Sequence, residues 1–285
     1  MLRHPPSHRR VTSRGSLGEM THDESKRAQF LAAYDEQLRT DAETPGALTV
    51  TRHGPLSLMI FLNGRGFVTY QNLGAADERG IRSLVADAVA YFQAEPEIAR
   101  VEWKTRGHDT APGLHEALLE HGFVPDAAES IMIGEATGLA VDVPLPDGVT
   151  LRRVTEEADV RAMSAIEDEV FDEPVLAETA DEYLRRLSLG DDMELWVAEF
   201  DDQIVSIGRL EPVRGTSFAG IWGGATVPAW RGRGIYRALT AARARSALDM
   251  GKTLIHSDST EYSRPILERS GMLKVSTTTP YRWSR

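Results

Sequence analysis

The chain of 285 residues contains no cysteine. Disulfides, thiolate metal sites and a cysteine nucleophile are excluded together. No window approaches the run of about 18 apolar residues that a membrane-spanning helix needs. The opening MLRHPPSHRRVTSRGSLGEM is basic and rich in Ser, Pro and Gly, without the apolar centre of a signal peptide. It is expected to be a disordered leader, with Met20 a candidate start, and a cytoplasmic location is expected. Basic residues are the minority, 32 against 43 acidic ones, for a formal net charge of −11. Nucleic acid and membranes are therefore not expected as partners, since phosphate surfaces want the opposite sign. A cationic small molecule or peptide suits the balance, as does plain solubility.

What is there is enough for two domains. Helical spacing marks Asp23–Thr40 (Phe30, Leu31, Tyr34, Leu38) and Asp77–Glu95 (Ile81, Leu84, Val85, Ala88, Phe92). Between them LSLMIFLN and GFVTYQNL read as strands broken at GRG; ARVEWKT and ESIMIGE read as further strands, flanking a short helix, GLHEALLEHG. VDVPLPDG (141–148) is a linker. The second unit runs strand, two helices, three strands, helix (Gly234–Met250), strand, short helix, strand, its first hairpin turning at Asp201-Asp202. The halves echo each other: ERGIRSLVADAVAYF resembles GRGIYRALTAARARS with Gly80 matching Gly234, and LHEALLEHGFV resembles RPILERSGMLK with Gly122 matching Gly271. The offsets, 154 and 149, differ by one five-residue connection. A duplicated fold is expected: 1–20 leader, 21–146 first copy, 149–285 second copy.

VPAWRGRGIYRAL (227–239) lies where a strand gives way to a helix. Pro228 cannot donate to a ladder, so the strand ends there. The amides from Arg231 to Tyr236 then open a helix, where unpaired N–H groups and the positive dipole end favour an anion. Gly232 and Gly234 allow close approach and positive φ. A Walker loop needs Gly-Lys-Ser/Thr where this chain has Gly-Ile-Tyr, and a dinucleotide fingerprint needs a glycine where Arg237 stands.

The pattern Arg-x-x-Gly-x after a Val-Pro strand end, TVPAWRGRGIYRAL, with SRPILERSGM as a second marker, resembles the acyl-CoA-binding motif of the GNAT acetyltransferase superfamily. The resemblance covers 149–285, with 21–146 as a degenerate copy. It implies an α+β (α/β) protein of two GNAT-like domains, each a mixed, mostly antiparallel sheet flanked by helices. It also implies acetyl-CoA as cosubstrate, with no metal. The coenzyme would be held by Ala225, Thr226 and Val227 along the pantetheine, beside the strand-weakening Gly223 and Gly224. Arg231, Gly232, Arg233, Gly234, Ile235, Tyr236 and Arg237 would hold it at the turn, and Ser263 nearby. Tyr236 departs from the motif, which has a small residue there. Arg233 and Arg237 are either contacts to the outer phosphate or solvated surface arginines.

Without cysteine an acyl-cysteine relay is excluded, and direct attack by the amine on the thioester, in a ternary complex, is the expected chemistry. An alkylammonium near pKa 10.4 must first lose a proton. The motif strand SFAGIWGGATV has no carboxylate, which leaves Glu211, Glu194 and Asp258 as bases, Asp258 preferred and His256 on its face. The proton donor that the family carries on its last helix aligns with Leu267; Tyr262 and Ser263 are the substitutes nearby. EDEVFDEPVLAETADE (167–182) has eight carboxylates and no base, and either roofs a cationic acceptor's pocket or is a solvated face. Trp196, Trp222 and Trp230 line a pocket or fill the core. The first copy carries Asp77 and Glu78 where pyrophosphate would sit, so no coenzyme is expected there. The expected activity is N-acetyl transfer from acetyl-CoA to an amine, as a monomer or homodimer; the alternative is a non-catalytic acyl-CoA-binding regulator.

Overall fold

The structure, a computed structural model, describes residues 21–40, 46–171 and 177–285. The expected leader and part of the acidic segment lie outside the described residues. The first half comprises α1 (His22–Gln37), β1 (Thr49–His53), β2 (Leu56–Phe61), β3 (Arg65–Tyr70), α2 (Glu78–Gln93), β4 (Arg100–Arg106), α3 (Leu114–Glu120), β5 (Val124–Pro125), β6 (Glu129–Glu135) and α4 (Ala136–Leu139). The second comprises β7 (Thr150–Val154), α5 (Glu157–Phe171), α6 (Ala177–Leu189), β8 (Glu194–Phe200), β9 (Gln203–Pro212), β10 (Phe218–Thr226), α7 (Ile235–Asp249), β11 (Leu254–Ser259), α8 (Arg264–Arg269) and β12 (Leu273–Ser284).

Local chemistry accounts for most boundaries. Thr21 and Glu24 form a capping box at α1. Asp201 and Asp202, both at positive φ, make the two-residue turn between β8 and β9. The sequence reading missed α4, a single turn, and β1, an edge strand whose Val50 faces solvent, so that it lacks the buried alternation that marks a strand. The break it put at GRG falls one residue or two earlier, because Asn63 and Gly64 take the left-handed conformations and Arg65 begins β3.

All twelve described strands join one sheet in the order β1-β2-β3-β4-β12-β6-β11-β10-β9-β8-β7, with β5 beside β12. It is mixed and mostly antiparallel; the parallel neighbours are β3 with β4 and β10 with β11. The halves exchange closing strands. β12, the end of the second half, lies against β4, and β6, the end of the first, lies against β11. The sequence offsets reappear as register: Lys104 faces Pro280 across β4–β12 and Asp258 faces Ile131 across β11–β6. An approximate two-fold therefore passes near the Thr278–Glu129 pair of β12 and β6.

α7, α8 and α4 cover one face around Ile221, Ile255 and Leu267. α5 and α6 cover the other around Leu195, Val197 and Ile207. α1 shares the face of α5 and α6, setting Phe30, Tyr34 and Leu38 on Ile131, Ile133 and Phe218. Among the described residues no helix is long and apolar enough to cross a membrane.

Lys104 and Asp258, equivalent by the 154-residue offset, meet as an ion pair at 2.6 Å with 14% and 8% of their side chains exposed. Lys104→Met leaves the buried carboxylate without its counter-charge. It is expected to lower stability by about 3–5 kcal/mol in urea unfolding, and the double change Lys104→Met/Asp258→Met to recover most of that loss.

Candidate functional site

β10 and β11 pair only over Phe218–Gly220 and Leu254–His256, and then part. β10 stays on β9 but its register shifts between Trp222 and Ala225. The two glycines in that bulge answer to different neighbours. Gly223 sits at φ 57°, and a Cβ there would come within 2.4 Å of Glu167 Oε1. A Cβ on Gly224 would come within 2.6 Å of the Tyr236 ring, on the opposite face. The pair is thus the consequence of crowding from both sides of a bulged strand.

Past Val227 the chain makes a 3₁₀ turn, Pro228–Trp230, and reaches Gly234 through Gly232, both glycines at positive φ. Gly234 caps α7 without a side chain, so the amides of Ile235, Tyr236 and Arg237 receive no cap. Residues 231–234 are exposed, and this helix end offers donors and a positive dipole to solvent. Arg231 Nε donates to Thr226 O at 2.9 Å, tying the turn to the strand. Arg233 and Arg237 meet different neighbours. Arg233 lies over the Trp230 ring at 4.7 Å, while Arg237 faces a cavity of about 60 Å³ that it lines with Thr240, Arg269 and Ser270. Arg269 was not foreseen, because nothing in its spacing joins it to the turn.

The first copy has the same scaffold in a closed state. Asp77 caps α2 and accepts from Gly80 N at 2.8 Å, so a carboxylate occupies the end that α7 leaves open. Beyond the parallel pairing of β3 and β4, Arg106 Nη1 donates to Thr69 Oγ1 at 2.9 Å and Arg39 Nη2 to Tyr70 O at 3.1 Å. Arg39 is itself held by Asp109 at 2.7 Å.

On the α5–α6 face the carboxylates are already engaged. Glu211, expected as a candidate base, accepts from Arg186 (3.1 Å) and Arg209 (3.0 Å). Burial alone would raise its pKa, but those two guanidiniums outweigh it and hold the carboxyl below the usual glutamate range. It is a poor proton acceptor. Glu167 binds Arg209 at 3.0 Å and accepts from Tyr183 Oη at 2.9 Å; Asp181 pairs with Arg161 and Glu182 with Arg185. Three of the eight carboxylates of the acidic segment, Glu167, Asp181 and Glu182, are therefore paired within the fold. Glu194 is spent on Arg153, Trp196 Nε1 and Ser246 Oγ.

Asp258 stands differently: Oδ2 is on Lys104, and Oδ1 is buried with no hydrogen-bond partner among the described residues. His256 shares its face, with its ring edge-on to Trp222 at 5.1 Å. Trp222 therefore belongs to the site, whereas Trp230 packs on Phe200. Tyr262 is 82% exposed, Ser263 opens α8 without capping it, and Leu267 is wholly buried in the core. Sequence reasoning also missed Arg243, 1% exposed, which donates to Arg209 O at 3.0 Å and Trp222 O at 3.5 Å behind the bulge. Its position one turn from Leu239 and one from Ala247, on the apolar stripe of α7, was the available signal. Among the described residues no group of three His, Cys, Asp or Glu is placed to hold a metal.

The profile of the acetyltransferase (GNAT) family matches residues 160–272. No curated protein sequence matches the chain. In fold it is similar to a GCN5-related N-acetyltransferase from Kribbella flavida (16% identity, TM-score 0.63), covering 93% of this chain and 96% of that one. It is similar to a tandem GNAT protein from the clavulanic acid biosynthesis pathway (15%, TM-score 0.60; 92% and 96%). A GCN5-related N-acetyltransferase from Sphaerobacter thermophilus aligns over 80% of this chain and 76% of its own (18%, TM-score 0.55). At these identities the likeness is one of fold, and it extends through both halves.

Because its folded pKa is depressed, Glu211 stabilises the protein above the ordinary glutamate value of 4.5, and that contribution is lost as pH falls through the lower folded value. Glu211→Gln is expected to melt below the parent at pH 7, with the gap closing as pH falls below the ordinary glutamate value, followed by circular dichroism.

Proposed function

With a GNAT-family domain over residues 160–272, we propose that this chain transfers an acetyl group from acetyl-CoA to a primary amine at one working site in its second half. On this reading 149–285 is the acetyltransferase domain and 21–146 a degenerate copy without coenzyme. One observation carries it: the uncapped end of α7, reached through a bulged strand that has parted from β11, set against the Asp77-capped end of α2.

The amides of Gly232 to Arg237 receive the pyrophosphate and the pantetheine runs along Ala225–Val227. Arg237 and Arg269, flanking their small cavity, suit the outer phosphate. The amine approaches from the α5–α6 face, over Trp222 and His256. Asp258 Oδ1, the carboxylate oxygen there without a partner, takes the amine's proton directly or through water. Attack on the thioester carbonyl then proceeds directly, since a chain without cysteine cannot form an acyl-cysteine intermediate. The engagement of Glu211 by two arginines and of Asp258 by Lys104 favours a second reading, a non-catalytic acyl-CoA-binding protein.

Isothermal titration with acetyl-CoA is expected to give one site per chain. Gly234→Glu, which forces a side chain onto a φ of 82° and a carboxylate onto the anion turn, is expected to weaken binding at least about tenfold, or 1.4 kcal/mol. Unchanged affinity in this variant would overturn the reading. Thiol release from acetyl-CoA across a panel of primary amines separates the two readings: turnover supports the transferase, and binding without turnover supports the binding protein.

A further inference from the structure

Cleavage of a thioester expels an alkyl thiolate, and a thiolate released into a half-buried cleft needs a proton or a charge beside it. The hydroxyls that sequence reasoning offered are misplaced for this: Tyr262 is 82% exposed and Ser263 Oγ points back to Thr260 O. Tyr183, across the sheet, donates to Glu167 and lies against Arg209.

The geometry points to Tyr236 as the group that protonates the leaving thiolate, resting on the acetyl-CoA reading above. Tyr236 is the second residue of α7, so its amide belongs to the uncapped turn while its ring reaches back to the bulge of β10. Its Oη stands 3.3 Å, and its Cε2 2.6 Å, from where a Cβ of residue 224 would be; only glycine there lets the ring in. Among the described residues the hydroxyl has no hydrogen-bond partner, although the ring is packed into the α7 core cluster. One side chain thus links the anion turn to the point where β10 leaves its register.

The surroundings suit a donor. Burial raises the phenol's pKa and the nearby Arg243 lowers it, with burial the larger effect, so the group is protonated at neutral pH. Arg243, itself lowered by burial to about 10, remains a cation there, and it is bonded to carbonyls and a threonine hydroxyl with no carboxylate. It offers fixed positive charge behind the bulge while negative charge passes between sulfur and phenol. The other titratable groups facing the bulge are Glu167, Tyr183 and Arg186 from α5 and α6, Arg209 and Glu211 from β9, and His256 and Asp258 from β11. Of these, Glu167, Tyr183, Arg186, Arg209 and Glu211 bind one another. In the step, the amine nitrogen bonds to the carbonyl carbon, the C–S bond breaks with its pair on sulfur, and sulfur takes the Tyr236 proton. Asp258 takes the proton shed by the amine and gives it up to water, and water returns one proton to the phenolate, so the net products are the amide and the thiol.

The test is Tyr236→Phe in the full chain, which keeps the ring and so the packing, checked by an unchanged thermal midpoint. With the fastest amine of the panel, kcat is expected to fall on the order of 100-fold while KM for acetyl-CoA changes little. The basic limb of the kcat–pH profile should disappear with it. A binding readout is independent of turnover: wild type should prefer CoA to desulfo-CoA, and the variant should not discriminate. Retention of kcat within about threefold, or discrimination equal in both proteins, overturns the role of Tyr236 alone. Wild type that binds CoA but turns over no amine, or binds no CoA, overturns the acetyl-transfer reading and this inference with it.

Discussion

The pairing of β6 with β12 is the contact on which the architecture rests. Each strand ends one half of the chain, and each completes the sheet begun by the other half, so neither half closes its own sheet. The exchange places Lys104 and Asp258, related positions of the two copies, in one buried ion pair. It also sets α1 of the first half on Ile131, Ile133 and Phe218, beside the face where Trp222, His256 and Asp258 stand. The first half therefore supplies a helix to the face of the second half on which Trp222 and His256 lie. A sheet joined this way couples the stability of the two halves, since unfolding either exposes the closing strand of its neighbour.

The two copies differ in how the helix end beside the parted strands is capped. Both have a parallel strand pair that parts and a helix that starts beside it. In the first, Asp77 supplies its own carboxylate to the helix end, and Arg39 and Arg106 bridge the parted strands through Tyr70 O and Thr69 Oγ1. In the second, Gly234 supplies no side chain and the strand ends remain apart. The same main-chain donors are satisfied internally in one case and left for a ligand in the other.

The electrostatics of the described part of the α5–α6 face follow from pairing rather than from composition. A net charge of −11 and a run of eight carboxylates suggest a strongly anionic pocket. The folded chain instead turns Glu167 inward onto Arg209 and ties Glu211 between Arg186 and Arg209. Buried charges far apart in sequence find counter-charges because leaving them alone costs several kcal/mol each. Among the described residues, the ring edge of His256 meets Trp222 on this face and Oδ1 of Asp258 has no hydrogen-bond partner.

The helices α1, α2 and α7, the turn at Asp201-Asp202, the irregular connection between the halves and the glycine turn at Gly232–Gly234 were legible in the sequence, because periodicity, caps and positive-φ glycines act over a few residues. So was the duplication, whose two offsets return as strand register. Strand exchange was not legible, since either closing strand satisfies the same ladder and only long-range packing chooses between them. Nor were the locking of Glu211, the separation of Arg233 from Arg237, or the contact of Tyr236 with Gly224. The sequence by itself determined where main-chain donors are left open. Tertiary structure decided which side chains surround them, because charge pairing and bulge packing join residues tens of positions apart that no local pattern relates.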